Sequence, residues 1–280
     1  MQKLEVNEVS CKTVLHEMEG TGEYTANFYR GCSHGCVYCY APSLVHAERP
    51  WGSFVDVKVN AAEVLRRELS KARRGVVFLS SASDPYQPVE AKYRLTRMAL
   101  EALLRKDFPV IILTRSPLVL RDLDLLKRFR WLRIGFSISS VPGKLYEPGV
   151  APVERRIETL RALGEAGIKT WVSMAPLIPQ KMDIDVRELL GKLKAAGVSS
   201  VSAGILRFNG YQESKEMFEK VSGTDTLELT VGAEETISAV RKMVGELGFE
   251  GRDSFFEWHP QGGMDEFLPE TSLVPAQPIN

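Results

Sequence analysis

The chain contains 280 residues, 44% of them hydrophobic, so it is long enough to bury the core of one large domain or of two small ones. Lysine plus arginine and aspartate plus glutamate number 36 each, which excludes a strong overall field drawing the whole molecule to nucleic acid or to an anionic membrane. No charged-then-apolar signal segment opens the sequence and no apolar run reaches the roughly 18 residues of a membrane span, so we expect a cytoplasmic protein without membrane association.

In chain order, residues 1–23 are expected to form an amino-terminal extension, followed by a strand from Tyr24 to Arg30. This strand leads into a loop with three cysteines, Cys32, Cys36 and Cys39, separated by three residues and then by two. Such close spacing favours a metal centre over a disulfide framework in a chain of this length. Unpaired structural thiols are the alternative interpretation.

The fourth cysteine, Cys11, lies outside this loop. A cubane of four irons held by only three cysteines leaves one iron without a protein ligand, and that iron is open to chemistry. A zinc site or an electron-carrier cluster usually takes four protein ligands, so the grouping disfavours a non-catalytic zinc or iron-sulfur module, which stays open as an alternative. We expect Cys11 to be a buried thiol, with a part in the site as the alternative, and His34 to be a spacer within the loop.

Beyond the loop, short β-branched runs alternate with longer segments of helical period, which is the pattern of βα units and a parallel sheet. The predicted strands are residues 76–79, 110–113, 134–138, 171–174 and 198–206. The predicted helices are residues 61–72, 94–105, 118–129, 153–166 and 186–196. Gly167 and Gly197 follow two of these helices, where a left-handed residue commonly ends a helix, and Pro152 fits the start of another.

With the strand before the cysteine loop, the pattern gives six βα repeats, two short of a closed eight-fold barrel. We therefore predict an α/β fold with a partial, laterally open (β/α)6 barrel of the TIM type over residues 24–210. Residues 211–280 are expected to form a helical and irregular carboxy-terminal extension that caps the barrel, with a helix at 233–247 and an irregular segment from Arg252. In such barrels the active site lies at the carboxyl ends of the strands.

Several segments carry a family resemblance. The motif Cys32-x-x-x-Cys36-x-Tyr38-Cys39 resembles the signature of the radical S-adenosylmethionine (SAM) superfamily. Further segments are similar to the branch related to spore photoproduct lyase, often labelled DNA repair photolyase: residues 27–32, 83–88, 113–116 and 135–138.

This resemblance implies a 4Fe-4S cluster whose open iron binds SAM. Reductive cleavage of SAM then yields a 5′-deoxyadenosyl radical that abstracts hydrogen from a substrate. It also implies an external electron donor of the flavodoxin or ferredoxin type. A nucleic acid is one candidate substrate, and a tRNA, a protein or a small metabolite is the alternative.

The resemblance further assigns roles to cysteines and to residues at the strand ends. Cys32, Cys36 and Cys39 would ligate the cluster, and Tyr38 would lie near the adenine of SAM, with simple packing of the loop as its alternative. Tyr38 and Tyr40 match the paired tyrosines that flank the last cysteine in the lyase. We therefore predict that these two are catalytic, as a tyrosine relay.

Four more residues are predicted to bind SAM. Ser83 and Asp84 would hold its ammonium group, with turn formation as their alternative role. Arg115 would hold its carboxylate and Ser137 its ribose or carboxylate; a surface arginine and a small core residue are the alternatives. Arg156, early in the following helix, is expected to be solvated or ion-paired.

One feature departs from the family pattern. The lyase has a cysteine hydrogen donor just before the segment that matches Ser83 and Asp84, whereas this chain has Ser80, Ser81 and Ala82 there. A serine O–H bond is too strong to replace that thiol. The basic run at residues 66–74 is interleaved with glutamates, which is typical of an ordinary exposed helix and only a weak indication of nucleic-acid binding.

Overall fold

The computed structural model describes residues 3–18, 22–206, 208, 211–229 and 231–251. The irregular segment predicted from Arg252 lies outside these residues. Within the described part of the chain, no helix is both long enough and apolar enough to cross a bilayer.

The described residues form two sheets from eleven strands. Numbered in chain order, the strands are β1 (Glu5–Val9), β2 (Leu15–Met18), β3 (Glu23–Ala26), β4 (Tyr29–Arg30), β5 (Phe54–Lys58), β6 (Val77–Leu79), β7 (Val110–Thr114), β8 (Leu132–Ser137), β9 (Thr170–Leu177), β10 (Ser200–Ile205) and β11 (Glu250–Gly251). A small sheet has the order β1-β5-β4, and the main sheet has the order β11-β10-β9-β8-β7-β6-β3-β2.

In the main sheet β3, β6, β7, β8, β9 and β10 run parallel to one another, and only β2 is antiparallel to its neighbour. The sheet has two edges, at β2 and β11, and does not close on itself. The predicted fold class, a laterally open partial barrel, is confirmed. The six predicted parallel strands are present, and the two-residue β11 adds a seventh beside β10.

Helices connect these strands. They are α1 (Ala41–Leu44), α2 (Ala61–Leu69), α3 (Glu90–Tyr93), α4 (Leu95–Arg105), α5 (Leu123–Leu126), α6 (Gly143–Tyr146), α7 (Val153–Glu165), α8 (Val186–Ala195), α9 (Gln212–Ser222), α10 (Thr226–Leu229) and α11 (Ala233–Glu246). The helices predicted at 61–72, 94–105, 153–166, 186–196 and 233–247 are confirmed. Gly167 and Gly197 have φ values of +80° and +78°, so two helices end with left-handed glycines as expected.

The alternation of side chains along each strand separates the core into two parts. Val77, Ile112 and Val172 face outward and join the large core beneath the helices. Phe78 and Trp171 face inward and belong to a separate apolar cluster inside the barrel. Gly135 makes room for this cluster, because a Cβ there would lie 2.2 Å from a ring carbon of Trp171. The inner cluster forms the floor on which the candidate site is built.

The strand predicted at Tyr24 to Arg30 is instead two strands in different sheets. β3 belongs to the main sheet, whereas β4 pairs antiparallel with β5. Asn27 lies between them, and its side-chain oxygen accepts from the backbone N–H of Ala82 at 2.8 Å. This side-chain contact holds the chain where it leaves the main sheet, a connection that local periodicity does not reveal.

The prediction of one continuous helix over residues 118–129 was also wrong. A 3-10 helix over Pro117–Asp122 is followed by the single α-helical turn α5. Asp122 at this junction is fully buried, and its carboxylate accepts from Arg97 at 3.0 Å and from Arg121 at 2.7 Å. These bonds fix the chain around a buried ion pair, which replaces the regular amphipathic helix.

The elements after β10 pack in two places. Phe218 of α9 is fully buried and its ring lies 5.6 Å from that of Tyr146, beside the cysteine loop. Ser214 of α9 lies 3.1 Å from Ser43 of α1. α11 instead places Val240 and Val244 in the large core under the sheet. The domain boundaries predicted after residues 23 and 210 remain predictions.

Candidate active site

The cysteine loop begins with a close approach of two backbones. Gly31 has a φ of +86°, and a Cβ at this position would lie 2.4 Å from the carbonyl oxygen of Phe54. Only glycine fits there. The loop then places Cys32, Cys36 and Cys39 on one cavity of about 280 Å³ at the carboxyl ends of the parallel strands.

Cys11 does not join this cavity. Its thiol lies 3.4 Å from the side-chain oxygen of Asn60, and its backbone N–H donates to the same oxygen at 2.9 Å. Burial raises the pKa of the half-buried Cys11 thiol. Three cysteines therefore share the cavity. The fourth connects the amino-terminal segment to Asn60 at the start of α2.

Gln87 fixes the start of the cysteine loop through hydrogen bonds to its backbone. It is fully buried, donates to the carbonyl of Gly31 at 3.2 Å and accepts from the backbone N–H of Ser33 at 3.0 Å. Sequence reasoning missed this role, although Gln87 lies in the segment 83–88 that carries the family resemblance. The only signal was that segment, because the partners of Gln87 are more than fifty positions away.

The structure brings the predicted site residues together. The cavity is lined by the three cysteines and by all the residues predicted to act on or bind SAM: Tyr38, Tyr40, Ser83, Asp84, Arg115 and Ser137. Parallel strands end at the same edge of a sheet, so residues that follow β6, β7 and β8 converge there. Their roles as ligands remain predictions.

Asp84 is buried and its carboxylate already accepts several protein donors. They are the hydroxyl of Thr114 at 2.7 Å and the backbone N–H groups of Tyr86 at 2.8 Å and Arg115 at 2.7 Å. The Nδ1 atom of His34 lies 3.3 Å from the same carboxylate. Burial opposes ionisation, but His34 and these hydrogen bonds together hold the pKa of Asp84 below its ordinary value. Asp84 thus ties the ends of β6 and β7 to the cysteine loop.

His34 is more than a spacer in the loop, because it is buried and paired with Asp84. Burial alone would lower its pKa. The neighbouring charges of Asp84 and Cys32 outweigh burial and raise the pKa of His34 to about 10. The ion pair links the middle of the cysteine loop to the end of β6.

A second buried carboxylate, Glu147, was not anticipated from the sequence. It accepts hydrogen bonds from the Tyr38 hydroxyl, from Ser139 at 2.9 Å and from Arg156 at 2.9 Å. Arg115 Nε lies 3.7 Å away. Although burial opposes ionisation, the two arginines and these hydrogen bonds hold the pKa of Glu147 below its ordinary value. Glu147 therefore fixes both Tyr38 and Arg115 against the loop.

Arg156 is ion-paired, which was one of its two expected states. With 2% of its surface exposed, it is buried and not solvated. One guanidinium nitrogen donates to the carbonyl of Ser137 at 2.7 Å while another binds Glu147. Arg156 braces the end of β8.

Four residues that line the cavity carry a buried polar atom with no hydrogen-bond partner among the described residues. These atoms are the hydroxyls of Ser80 and Ser83, the Nε atom of Arg115 and the Nδ1 atom of His34, which lies 3.3 Å from Asp84 as an ion pair. A buried polar group without a partner is costly, so these atoms indicate a place that a polar ligand fills. The guanidinium carbon of Arg115 also lies 5.9 Å from the ring centre of Tyr38, which leaves the cation on the cysteine side of the cavity.

The donor set of the cavity fits an iron-sulfur cluster. A 4Fe-4S cluster takes each thiolate on a different iron, and three cysteines line this one cavity. Burial raises the pKa of Cys39 to about 11, so a metal must displace the thiol proton there.

The two tyrosines of the motif point to different places. Tyr38 is buried against Glu147. Tyr40 is 43% exposed at the cavity mouth, donates to the carbonyl of Ser81 at 2.5 Å, and lies 5.7 Å from the ring of Tyr211. Burial of its hydroxyl raises the pKa of Tyr40 to about 12. Tyr40 thus lies between the cysteine loop and the serine that occupies the lyase donor region.

Known proteins resemble this chain in sequence and in structure. An uncharacterized protein of Methanocaldococcus jannaschii is 36% identical over 198 residues, which cover 69% of this chain and 74% of that protein. A radical SAM Nalpha-GlyT isomerase of Pseudomonas phage M6 is 29% identical over 197 residues, which cover 68% of this chain and 40% of the isomerase.

The fold is shared with a solved spore photoproduct lyase mutant that has AdoMet and dinucleoside spore photoproduct bound. The TM-score is 0.67 at 18% identity, and the superposition covers 89% of this chain and 80% of the lyase. The sequence matches the radical SAM superfamily over residues 26–193, which span β3 to α8 and include all three cavity cysteines. This chain belongs to the radical SAM superfamily.

Proposed function

We propose that this chain is a radical SAM enzyme in which Cys32, Cys36 and Cys39 hold a 4Fe-4S cluster and the adjoining cavity binds SAM. The bound cluster and SAM would supply a 5′-deoxyadenosyl radical that abstracts hydrogen from a substrate at the open side of the barrel. The observation that carries this proposal is the shared cavity, where three thiols meet buried polar atoms that lack partners.

Different residues of the cavity would bind different parts of SAM. Arg115 would bind the carboxylate of SAM, because its buried Nε has no hydrogen-bond partner and Glu147 fixes its position. The free hydroxyl of Ser83 would accept from the ammonium group, and Asp84 would add its negative charge nearby. Ser137 would reach the ribose or carboxylate, and Tyr38 would form an apolar wall for the adenine.

The apolar floor of the cavity would help to keep water from the reacting atoms. This floor includes Phe78 and Leu113 on the inner cluster. Burial raises the pKa of the Cys36 and Cys39 thiols, and the positive charge of Arg115 beside them partly offsets this effect. A cation next to anionic sulfur ligands stabilises the charged form of a cluster site.

The alternative from another class, a structural zinc or electron-carrier module, has less support. A structural zinc ion usually takes four protein ligands, whereas only three cysteines are grouped in the loop. A carrier would also have no use for the unpartnered polar atoms of Ser83 and Arg115. Metal analysis that finds zinc without iron or sulfide would favour this alternative.

The proposal for the substrate names only a broad class. The relatives named for their reactions are a spore photoproduct lyase and a Nalpha-GlyT isomerase, and we carry over from them only a candidate nucleic-acid substrate. Because no thiol lies at Ser80 to Ala82, a tyrosine relay through Tyr40 would replace the cysteine donor. A tRNA, a protein side chain or a small metabolite is the alternative. An external flavodoxin-like or ferredoxin-like donor in a reducing cytoplasm would supply the electron.

The test is an anaerobic assay of 5′-deoxyadenosine after reconstitution with iron and sulfide. We expect SAM cleavage under strong reduction, and its loss in the Cys36→Ser variant. Damaged and undamaged DNA are added in parallel. Stimulation by the lesion would support a repair reaction, and cleavage indifferent to DNA would direct the search to the other substrates. A reconstituted cluster that never cleaves SAM would refute the proposal.

A further inference from the structure

Ser80 has a backbone conformation that serine rarely adopts. It directly follows β6, its φ is +64°, and its N–H still donates to the carbonyl of Ala26 at 2.8 Å. In this left-handed region the Cβ crowds the backbone, so any residue other than glycine pays a cost that asparagine and aspartate partly offset. Serine at this position is therefore strained.

The chain uses glycine at most such positions, and Ser80 differs from the other exceptions. In the described ranges, nine glycines have a positive φ, and four other residues share it: His46, Ser80, Arg94 and Asp107. The other three are exposed at the surface, whereas Ser80 is 6% exposed. Glycine would be unstrained at this buried position. The presence of serine there indicates that its hydroxyl has a role.

That hydroxyl has no protein partner among the residues that the structure describes. Ser80 lines the cavity, and its Oγ is a buried polar atom without a hydrogen bond to any of those residues. Asn27 follows the residue whose carbonyl accepts from the Ser80 N–H, but its side chain donates to the Ser81 hydroxyl at 3.1 Å and accepts from the Ala82 N–H. Strain and a missing partner are separate observations, and both point to a ligand as the partner of Ser80.

We propose that the Ser80 hydroxyl binds the adenosine part of SAM, through a ribose hydroxyl or a ring nitrogen. Ser80 lies between the apolar floor, where Phe78 precedes it by two residues, and the polar rim at Ser83. A neutral hydroxyl beside an apolar surface fits adenosine, which combines a flat apolar ring with neutral hydrogen-bonding groups. The charged end of SAM has Arg115. This inference rests on the proposed function.

Three variants test it. Ser80→Ala removes the hydroxyl and keeps the strain. Ser80→Gly removes both, and Arg94→Gly relieves the same strain at an exposed site outside the cavity lining. The measurements are the melting temperature of the protein without cluster, and the Kd of SAM for the reconstituted protein, followed by the spectrum of the reduced cluster.

We expect Ser80→Ala and Ser80→Gly to weaken SAM binding by about 3- to 10-fold, the effect of one neutral hydrogen bond. Ser80→Gly and Arg94→Gly should each raise the melting temperature by about 2–4 °C, because glycine relieves the left-handed backbone. Arg94→Gly should leave SAM binding unchanged. A gain in stability coupled to a loss of affinity is the combination that a purely structural serine would not give.

The inference is overturned if Ser80→Ala binds SAM as tightly as the wild-type protein, or if Ser80→Gly is no more stable than Ser80→Ala. Failure of the proposed function has a different signature: the wild-type protein itself then holds no cluster or shows no SAM binding, and Ser80 loses its assigned ligand as well.

Discussion

Two buried polar regions of this protein differ in how their charges are satisfied. On the outer wall of the barrel, Glu90, Arg97, Arg121 and Asp122 form an ion cluster. The carboxylate of Glu90 accepts from the Tyr29 hydroxyl, from the backbone of Thr96 at 3.0 Å and from Arg121 at 2.7 Å. In the cavity, by contrast, the hydroxyls of Ser80 and Ser83 and the Nε atom of Arg115 lack hydrogen-bond partners among the described residues. Beside the outer cluster, the hydroxyl of Tyr86 also lacks a partner in the described part of the chain, but the carboxylates of that cluster do not.

The difference teaches how structural and ligand-binding polar groups can be told apart. A carboxylate whose acceptor sites are filled by protein donors stabilises the fold and has little left for a ligand. A buried donor or acceptor without a partner costs free energy until a ligand arrives. Glu147 links the two kinds of group. Its own carboxylate accepts from protein donors, and it lies 3.7 Å from the Nε atom of Arg115, which has no hydrogen-bond partner among the described residues.

The largest effect is expected at the cysteines. Cys36→Ser removes one of three thiols on the cavity, and we expect iron content after reconstitution to fall to background, with loss of SAM binding. Cys11→Ser is the matched control and should keep both, because Cys11 contacts Asn60 away from the cavity. Iron and sulfide analysis measures the result. Equal loss in the two variants would contradict the assignment.

The next effect is on stability in the outer cluster. Glu90→Ala removes the acceptor of the buried Tyr29 hydroxyl and of the Thr96 N–H, and one of the two carboxylates that pair with Arg121. We therefore expect a loss of about 3–5 kcal/mol in the free energy of unfolding. Denaturant unfolding of the protein without cluster measures it. Glu188→Ala removes an exposed pair with Lys192 and should change stability by less than about 1 kcal/mol. A small effect at Glu90 would remove the distinction between the two regions.

Arg115→Ala should lower SAM affinity strongly and stability only a little, which is the reverse of the effect expected for Glu90→Ala. We expect SAM affinity to fall about 10- to 100-fold, because a charge-assisted hydrogen bond is lost. The free energy of unfolding should fall less than in Glu90→Ala, since Glu147 keeps Arg156 as its partner at 2.9 Å. SAM titration of the reconstituted protein and denaturant unfolding measure the two effects. Arg115 would belong with the structural residues if stability fell sharply and affinity did not.

The smallest effect concerns pH at the exposed rim of the outer cluster. Its hydrogen bond to Arg97 lowers the pKa of Asp124 to about 2 from 3.8. A carboxylate with a lowered folded pKa adds stability above its unfolded pKa and loses it as pH falls toward the folded value. Asp124→Asn should therefore flatten the fall in melting temperature slightly between pH 4 and pH 2. An unchanged slope would show that this pair contributes nothing.

Local signals in the sequence gave much of the fold. β-branched runs alternating with helical periods predicted six parallel strands, and the helices from 153 and 186 begin where expected. The cysteine spacing predicted a metal centre; that stays a prediction, and the structure brings the three cysteines to one cavity. Each of these features depends on residues close together in the chain, which is why periodicity and motif spacing suffice.

What the sequence did not reveal depends on distant contacts. Glu147 meets Tyr38 across 109 positions, and Gln87 meets Ser33 across 54. The switch from β3 to β4 at Asn27 rests on a bond to Ala82, 55 positions away. Neither a carboxylate in a loop nor a left-handed serine has a local signature, so only the folded arrangement identifies them.

The most direct test of the central claim is the spectrum of the reduced, reconstituted protein recorded with and without SAM under strict exclusion of oxygen. A cavity that holds a three-cysteine cluster beside SAM predicts a 4Fe-4S signal that changes when SAM is added, with the change lost in Cys36→Ser and weakened in Arg115→Ala. A cluster whose signal ignores SAM, or zinc in place of iron, would contradict the account.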